Sequence, residues 1–151
     1  MASPYRRILF ATDLSELSLD AWPHAVELAQ RFGAELLLAT VIEEPYALAD
    51  GGGYALLLQS LQEVRPQIDR KLSELAQRAP ASVVTRVAVL EARKVAGALV
   101  DHANRERCDL IVVATHGRGG LDHLLMGSVA ERLLRTSKVP VLVVPPVRAA
   151  A

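Results

Sequence analysis

Five short apolar stretches recur along the chain, at 7–11 (RILFA), 35–42 (ELLLATVI), 82–90 (SVVTRVAVL), 109–114 (DLIVVA) and 139–144 (VPVLVV). Most are continuous rather than alternating, which predicts strands covered on both faces, the habit of parallel sheets. The third carries Thr85 and Arg86 within it and reads as an outer strand. Helical periodicity fills the intervals. In 18–32, Ala21, Trp22, Ala25, Val26, Leu28, Ala29 and Phe32 follow i, i+3, i+4 spacing, and Gly33 stands where a left-handed cap is expected. A long helix is predicted over 54–79, with Leu57, Leu58, Leu61, Val64, Ile68, Leu72 and Leu75 as a core stripe and Pro66 as a kink or break. Two more are predicted over 94–106 (Val95, Ala98, Leu99, His102 and Ala103 inward) and over 128–136 (Val129, Leu133 and Leu134 as anchors). The order βαβαβαβαβ calls for right-handed crossovers and a parallel sheet with helices on both faces. Gly51-Gly52-Gly53 reads as a mobile loop.

Composition narrows this picture. A chain of 151 residues that is 51% hydrophobic is expected to fold as one domain, 1–151, with a substantial core. Seventeen basic and seventeen acidic side chains cancel, so no long-range field attracts nucleic acid or an anionic membrane. The single cysteine, Cys108, supports neither an intrachain disulfide nor a thiolate zinc site and is expected to be a packing residue. No stretch reads as a secretory signal or a membrane span, and a cytoplasmic protein is expected.

In open α/β sheets, ligands bind beyond the carboxyl ends of the strands, where crossovers leave for opposite faces. The loops after strands one, two and four therefore matter most. The first reads Ala11-Thr12-Asp13-Leu14-Ser15, the second follows Val41, and the third runs from Ala114 through Thr115, His116, Gly117 and Arg118 to Gly127-Ser128. Gly117 and Gly127 admit unusual backbone conformations and close approach to a ligand. Gly127-Ser128 opens a helix, where free amides and the dipole favour phosphate. The Ser128 hydroxyl could donate to phosphate or cap its own helix. Asp13 could accept from a ligand's amino or hydroxyl groups or hold a turn with Ser15. Arg118 could pair with phosphate or remain solvated. His24 and His102 read as surface or satisfied core residues, and Trp22 as packing between the first helix and the sheet.

Other nucleotide sites fail. The loop after strand one has no glycine for a dinucleotide fingerprint, and no Gly-Lys-Ser/Thr exists for a Walker A loop. A phosphate-receiver domain would need an aspartate after strand three and a lysine after strand five, where Glu91 and Pro145-Pro146 stand. No metal-ligand spacing is evident, and His116 is the sole nearby candidate for a general base.

Residues 7–15, 109–120, 126–135 and 139–144 together resemble the universal stress protein family, over nearly the whole chain. That resemblance implies an open five-stranded parallel sheet of order 3-2-1-4-5, of the Rossmann-like, adenine nucleotide alpha hydrolase-like class. The family's nucleotide-binding branch carries G-x-x-G-x9-G-S/T. Gly117, the nine residues that follow and Gly127-Ser128 match it, while Ala114 replaces its first glycine and brings an extra methyl group. The family's Gly-x-Pro after strand three is Arg93-Lys94-Val95 here. By resemblance, ATP would bind with Ala11, Thr12 and Asp13 near the adenosine and the main chain of Val41 at the adenine edge. Gly117, Gly127, Ser128 and the amides of Val129 and Ala130 would hold the phosphates, with any Mg²⁺ held by the phosphates themselves, and Ala114, His116 and Arg118 would complete the binding site. A homodimer through the last strand is also implied, as is a non-catalytic stress-response role. The alternatives are a module that binds no nucleotide and a slow ATP hydrolase or phosphoryl transferase.

Overall fold

In the computed structural model, which describes residues 3–44, 52–116 and 126–147, every apolar run forms a strand. The strands are β1 (Arg7–Ala11), β2 (Glu35–Glu43), β3 (Thr85–Ala92), β4 (Leu110–Ala114) and β5 (Val141–Val144). They make one parallel sheet of order β3-β2-β1-β4-β5. The connecting helices are α1 (Glu16–Leu19), α2 (Trp22–Phe32), α3 (Gly52–Ala76), α4 (Val95–Arg105) and α5 (Ser128–Thr136). Gly117, Arg118 and Gly51 lie outside the described residues.

Alternation along the central strands divides the core. Ile8 and Phe10 of β1, Leu36 and Leu38 of β2, and Leu110 and Val112 of β4 pack with α2 and α3. Leu9, Leu37, Ile111 and Val113 point the other way and pack with α4 and α5. Each such fully buried aliphatic or aromatic side chain contributes about 1.5–3 kcal/mol, enough in sum to explain why these runs carry almost no polar residue. Trp22 meets Phe10 at 5.4 Å between ring centroids, so it does pack the first crossover onto the sheet.

Several expectations change. The predicted helix over 18–32 is two helices. Ser15 caps α1 by accepting from the Ser18 amide, and Pro23 lies in the first turn of α2, where a missing N–H leaves nothing unpaired. Gly33 does end α2 in the left-handed region, at φ 63°. Gly52 and Gly53 belong to α3 and are not loop. Pro66 sits inside α3 without dividing it; on this exposed stretch the carbonyl it deprives can be hydrated.

The long helix is also less buried than its stripe suggested. Leu72, Leu75 and Ala76 are core, whereas Leu58 and Val64 are 42% and 43% exposed. In α5, Ala130 and Leu133 are the buried anchors, while Leu134 is exposed. In α4, Ala96 joins Leu99, His102 and Ala103 inside.

Candidate functional site

The sheet order puts the reversal of winding between β1 and β4. The crossovers from β1 through α1 and α2 and from β2 through α3 cover one face; α4 and α5 cover the other. The chain therefore parts above the carboxyl ends of β1 and β4, and a cavity of about 690 Å³ opens there. Its size falls in the range of small-molecule sites. Ala11, Thr12, Asp13, Val41, Ala114, His116, Gly127, Ser128, Val129 and Ala130 all line it. Ten residues from six elements or loops thus share one hollow.

The loop after β1 is held by its own side chains. The Thr12 amide donates to the Ala39 carbonyl at 3.0 Å, extending the sheet by one bond. Thr12 Oγ1 accepts from the Leu14 amide at 2.9 Å and lies 2.8 Å from Ser18 Oγ. Leu14 is left-handed, at φ 64°, a conformation that costs a non-glycine residue about 1 kcal/mol or more. The Thr12–Ser18 network holds it there. Asp13 Oδ1 accepts from the Ser15 amide at 2.9 Å and from Ser15 Oγ at 2.5 Å. Asp13 thus holds the turn and also lines the cavity; its two readings are realised together.

Opposite stands the start of α5. Gly127, not Ser128, is the N-cap, and the Ser128 hydroxyl makes no capping hydrogen bond among the described residues. Ser128 occupies the first helical position at the cavity wall, with its side chain uncommitted to the helix. The role of Gly127 also differs from the expected conformational licence. Its φ of −61° and ψ of 150° suit any residue. Space is what it supplies: a Cβ there would lie 2.6 Å from the Thr115 carbonyl oxygen, to which the Gly127 amide donates. The absent side chain lets the α5 N-terminus dock against the end of β4.

Ala114 ends β4 and is only 6% exposed. It packs with Val112 and Val144 in the core on the α2–α3 face, so its additional methyl is largely taken up by the core. His116 Nδ1 lies 3.0 Å from Thr115 Oγ1, and its Nε2 is buried without a hydrogen-bond partner among the described residues.

Some walls were not anticipated. Thr40, Val64, Ile68, Leu99 and Met126 also line the cavity. Val64 and Ile68 had been read as core of the long helix; the same 3.6-residue stripe that packs Leu72 on the sheet passes over the hollow farther along. Apolar walls from α3 and α4 thus face hydroxyls, a carboxylate and a helix N-terminus. Such a site can hold a flat, partly apolar group at one end and an anion at the other.

Of the features set aside earlier, Cys108 is buried, and burial pushes its thiol up to about 11, which keeps it protonated as a packing residue. His24 is on the surface. Among the described residues no group of three or more His, Cys, Asp or Glu side chains could hold a metal, and no helix is long and apolar enough to cross a membrane.

The fold and crevice define a class: an open, doubly wound parallel sheet with a ligand-sized hollow at its switch point. Within that class the chain belongs to the universal stress protein family, whose family model matches residues 4–145. A universal stress protein of Methanocaldococcus jannaschii is 34% identical over 142 residues, spanning 93% of this chain and 82% of that one. The solved structure of universal stress protein UspA from Lactobacillus plantarum superposes with a TM-score of 0.82 at 20% identity, covering 93% of this chain and 97% of that one. A universal stress protein solved in complex with cAMP is 29% identical, with a TM-score of 0.64 and coverage of 93% and 96%.

Proposed function

We propose that this protein binds ATP in the cavity between β1 and β4 and acts as a dimeric, non-catalytic stress-response sensor or accessory. The observation that carries the reading is the convergence of the Asp13 turn, the Val41 strand end and the uncapped Ser128 at α5 on one hollow of about 690 Å³. The adenine would lie along Val41, the ribose by Asp13, and the phosphates by Ser128 and the amides of Val129 and Ala130, where the helix dipole favours them. A relative that holds cAMP supports the adenylate class. A divalent cation would be carried in by the phosphates. The case against catalysis is chemical: His116 is tied to Thr115 through Nδ1 and its Nε2 is buried, so it presents no open base to a water or hydroxyl. Dimerisation is assigned to β5, an edge strand whose Leu142 is 36% exposed.

Calorimetry with ATP tests the reading. Saturable binding is expected. Ser128→Ala should weaken it about fivefold, the worth of one hydrogen bond, and Asp13→Asn about tenfold or more while still accepting from the Ser15 amide. Absence of binding heat at millimolar ATP, with no nucleotide in the mass spectrum of ligand released from fresh protein, would leave the non-nucleotide interaction module as the better description.

A further inference from the structure

Beside the main cavity lies a second recess of about 270 Å³ that shares Glu43, Ser128 and Val129 with it as walls. Its other charged lining is cationic: Arg93 and Lys94 precede α4, and Arg132 stands one turn into α5. Neither Lys94 nor Arg132 forms an ion pair among the described residues, and Arg93 reaches only Glu44, at 3.9 Å. Three cations against Glu43, and against Glu44 where it meets Arg93, still leave the recess net positive. Arginines elsewhere on the surface pair with nearby carboxylates, as Arg31 does with Glu27 and Arg135 with Glu131. Here the cations instead surround an opening that begins where the first turn of α5 ends the main cavity.

Resting on the nucleotide reading of that cavity, we infer that this recess receives the terminal phosphates of a polyphosphate tail, with Lys94 and Arg132 as the residues that favour longer tails. The partition follows from the shared wall. For a ligand whose first phosphate reaches Ser128 and the Val129 amide, the arginine and lysine side chains that line either hollow among the described residues are those of Arg93, Lys94 and Arg132, past Ser128. A monophosphate or a cyclic monophosphate ends before the recess and gains nothing from it. An ammonium and a guanidinium lining one recess suit a chain of tetrahedral anions, since charge-assisted hydrogen bonds to phosphate are among the stronger ones available. Both side chains are exposed at their stems, so their substitution leaves the core intact.

The test titrates AMP, ADP, ATP and inorganic triphosphate into wild type, a Lys94→Ala/Arg132→Ala double variant and a Lys94→Arg/Arg132→Lys double variant, at two salt concentrations. Expected is an affinity rising from AMP to ATP in wild type, a loss of about tenfold or more for ATP in the alanine variant with AMP as internal reference, and recovery in the charge-preserving variant. The salt dependence of ATP binding should flatten in the alanine variant as well. ATP binding equal in all three proteins overturns this inference and leaves the nucleotide reading standing. Triphosphate binding lost while ATP binding is unchanged makes the recess a free-anion site and also overturns it. No binding of any nucleotide to wild type removes both.

Discussion

The two ends of the sheet differ in how fully their charges are paired, although the carboxyl ends also carry Arg65–Glu91 and Arg93–Glu44. At the amino ends of the strands, ionic groups are spent on one another. Arg7 donates to Glu35 at 2.7 Å and to the Glu106 carbonyl, Arg86 lies 3.2 Å from Glu106 and 3.6 Å from Glu35, and Asp109 accepts from the amides of Arg6 and Arg7 at 2.7 and 2.9 Å. At the carboxyl ends, the Ser128 hydroxyl caps nothing and Lys94 and Arg132 find no carboxylate among the described residues. One end is closed by ion pairs; the other carries the hollow. A group that completes an internal network contributes to stability when present, whereas a group left unpaired at a cavity wall costs little stability to remove and shows itself in binding.

Substitutions that mix the two roles sharpen this contrast. The largest effect is expected at Gly127, which is structural although it lies at the open end. Gly127→Ala places a methyl 2.6 Å from the Thr115 oxygen and should destabilise by about 1–3 kcal/mol in urea unfolding, as well as weakening nucleotide binding. A variant of unchanged stability would show that the α5 N-terminus is not docked on β4 as described. Next is the closed end. Asp109→Ala strips the acceptor from two backbone amides and should cost about 1–2 kcal/mol while leaving ATP affinity unaltered. A change in affinity without one in stability would erase the distinction between the ends.

The smallest effect is in pH dependence, at His102 on the closed side. Its Nδ1 lies 3.1 Å from Arg105 Nη2, which can only donate, so the ring proton sits on Nε2, buried without a partner among the described residues. Burial, and then Arg105 and more distantly Arg86, hold the imidazole below its ordinary pKa of 6.5, against an opposing contribution from Glu106. With the native pKa lowered, the unfolded chain takes up the proton first, so this share of stability is intact above about pH 6.5 and is lost as the pH falls below it. His102→Gln should therefore lose less stability than wild type between pH 7.5 and 5.5. An equal loss in both would remove His102 from the acid response.

Strands were legible because burial on both faces leaves an unmistakable run: β1 begins and ends where 7–11 does, and β2 exceeds its run by one residue. The strand order came from the family resemblance, since periodicity alone does not order strands. What local pattern could not reveal was where each amphipathic face would land. The stripe of α3 reads the same at Val64 as at Leu72, yet one lines a cavity and the other is core. Likewise Pro23 lay in plain view, but the break between α1 and α2 falls at Asp20 and Ala21, the residues that cap the facing helix ends. At the site, Asp13, Val41 and Ser128 were found from strand ends and a motif. The recess of Arg93, Lys94 and Arg132 was missed because its cations come from two separate segments that meet only through packing of α4 on α5. The space requirement of Gly127 against Thr115, twelve residues earlier in the chain, is likewise a tertiary fact.

Amide hydrogen exchange with and without saturating ATP tests the central claim most directly. Slowed exchange confined to the Thr12–Leu14 turn and the first turn of α5, with residues 35, 86 and 106–109 unchanged, is the result expected of a nucleotide site at the open end. Exchange unaltered throughout, or protection at the closed end instead, would contradict it.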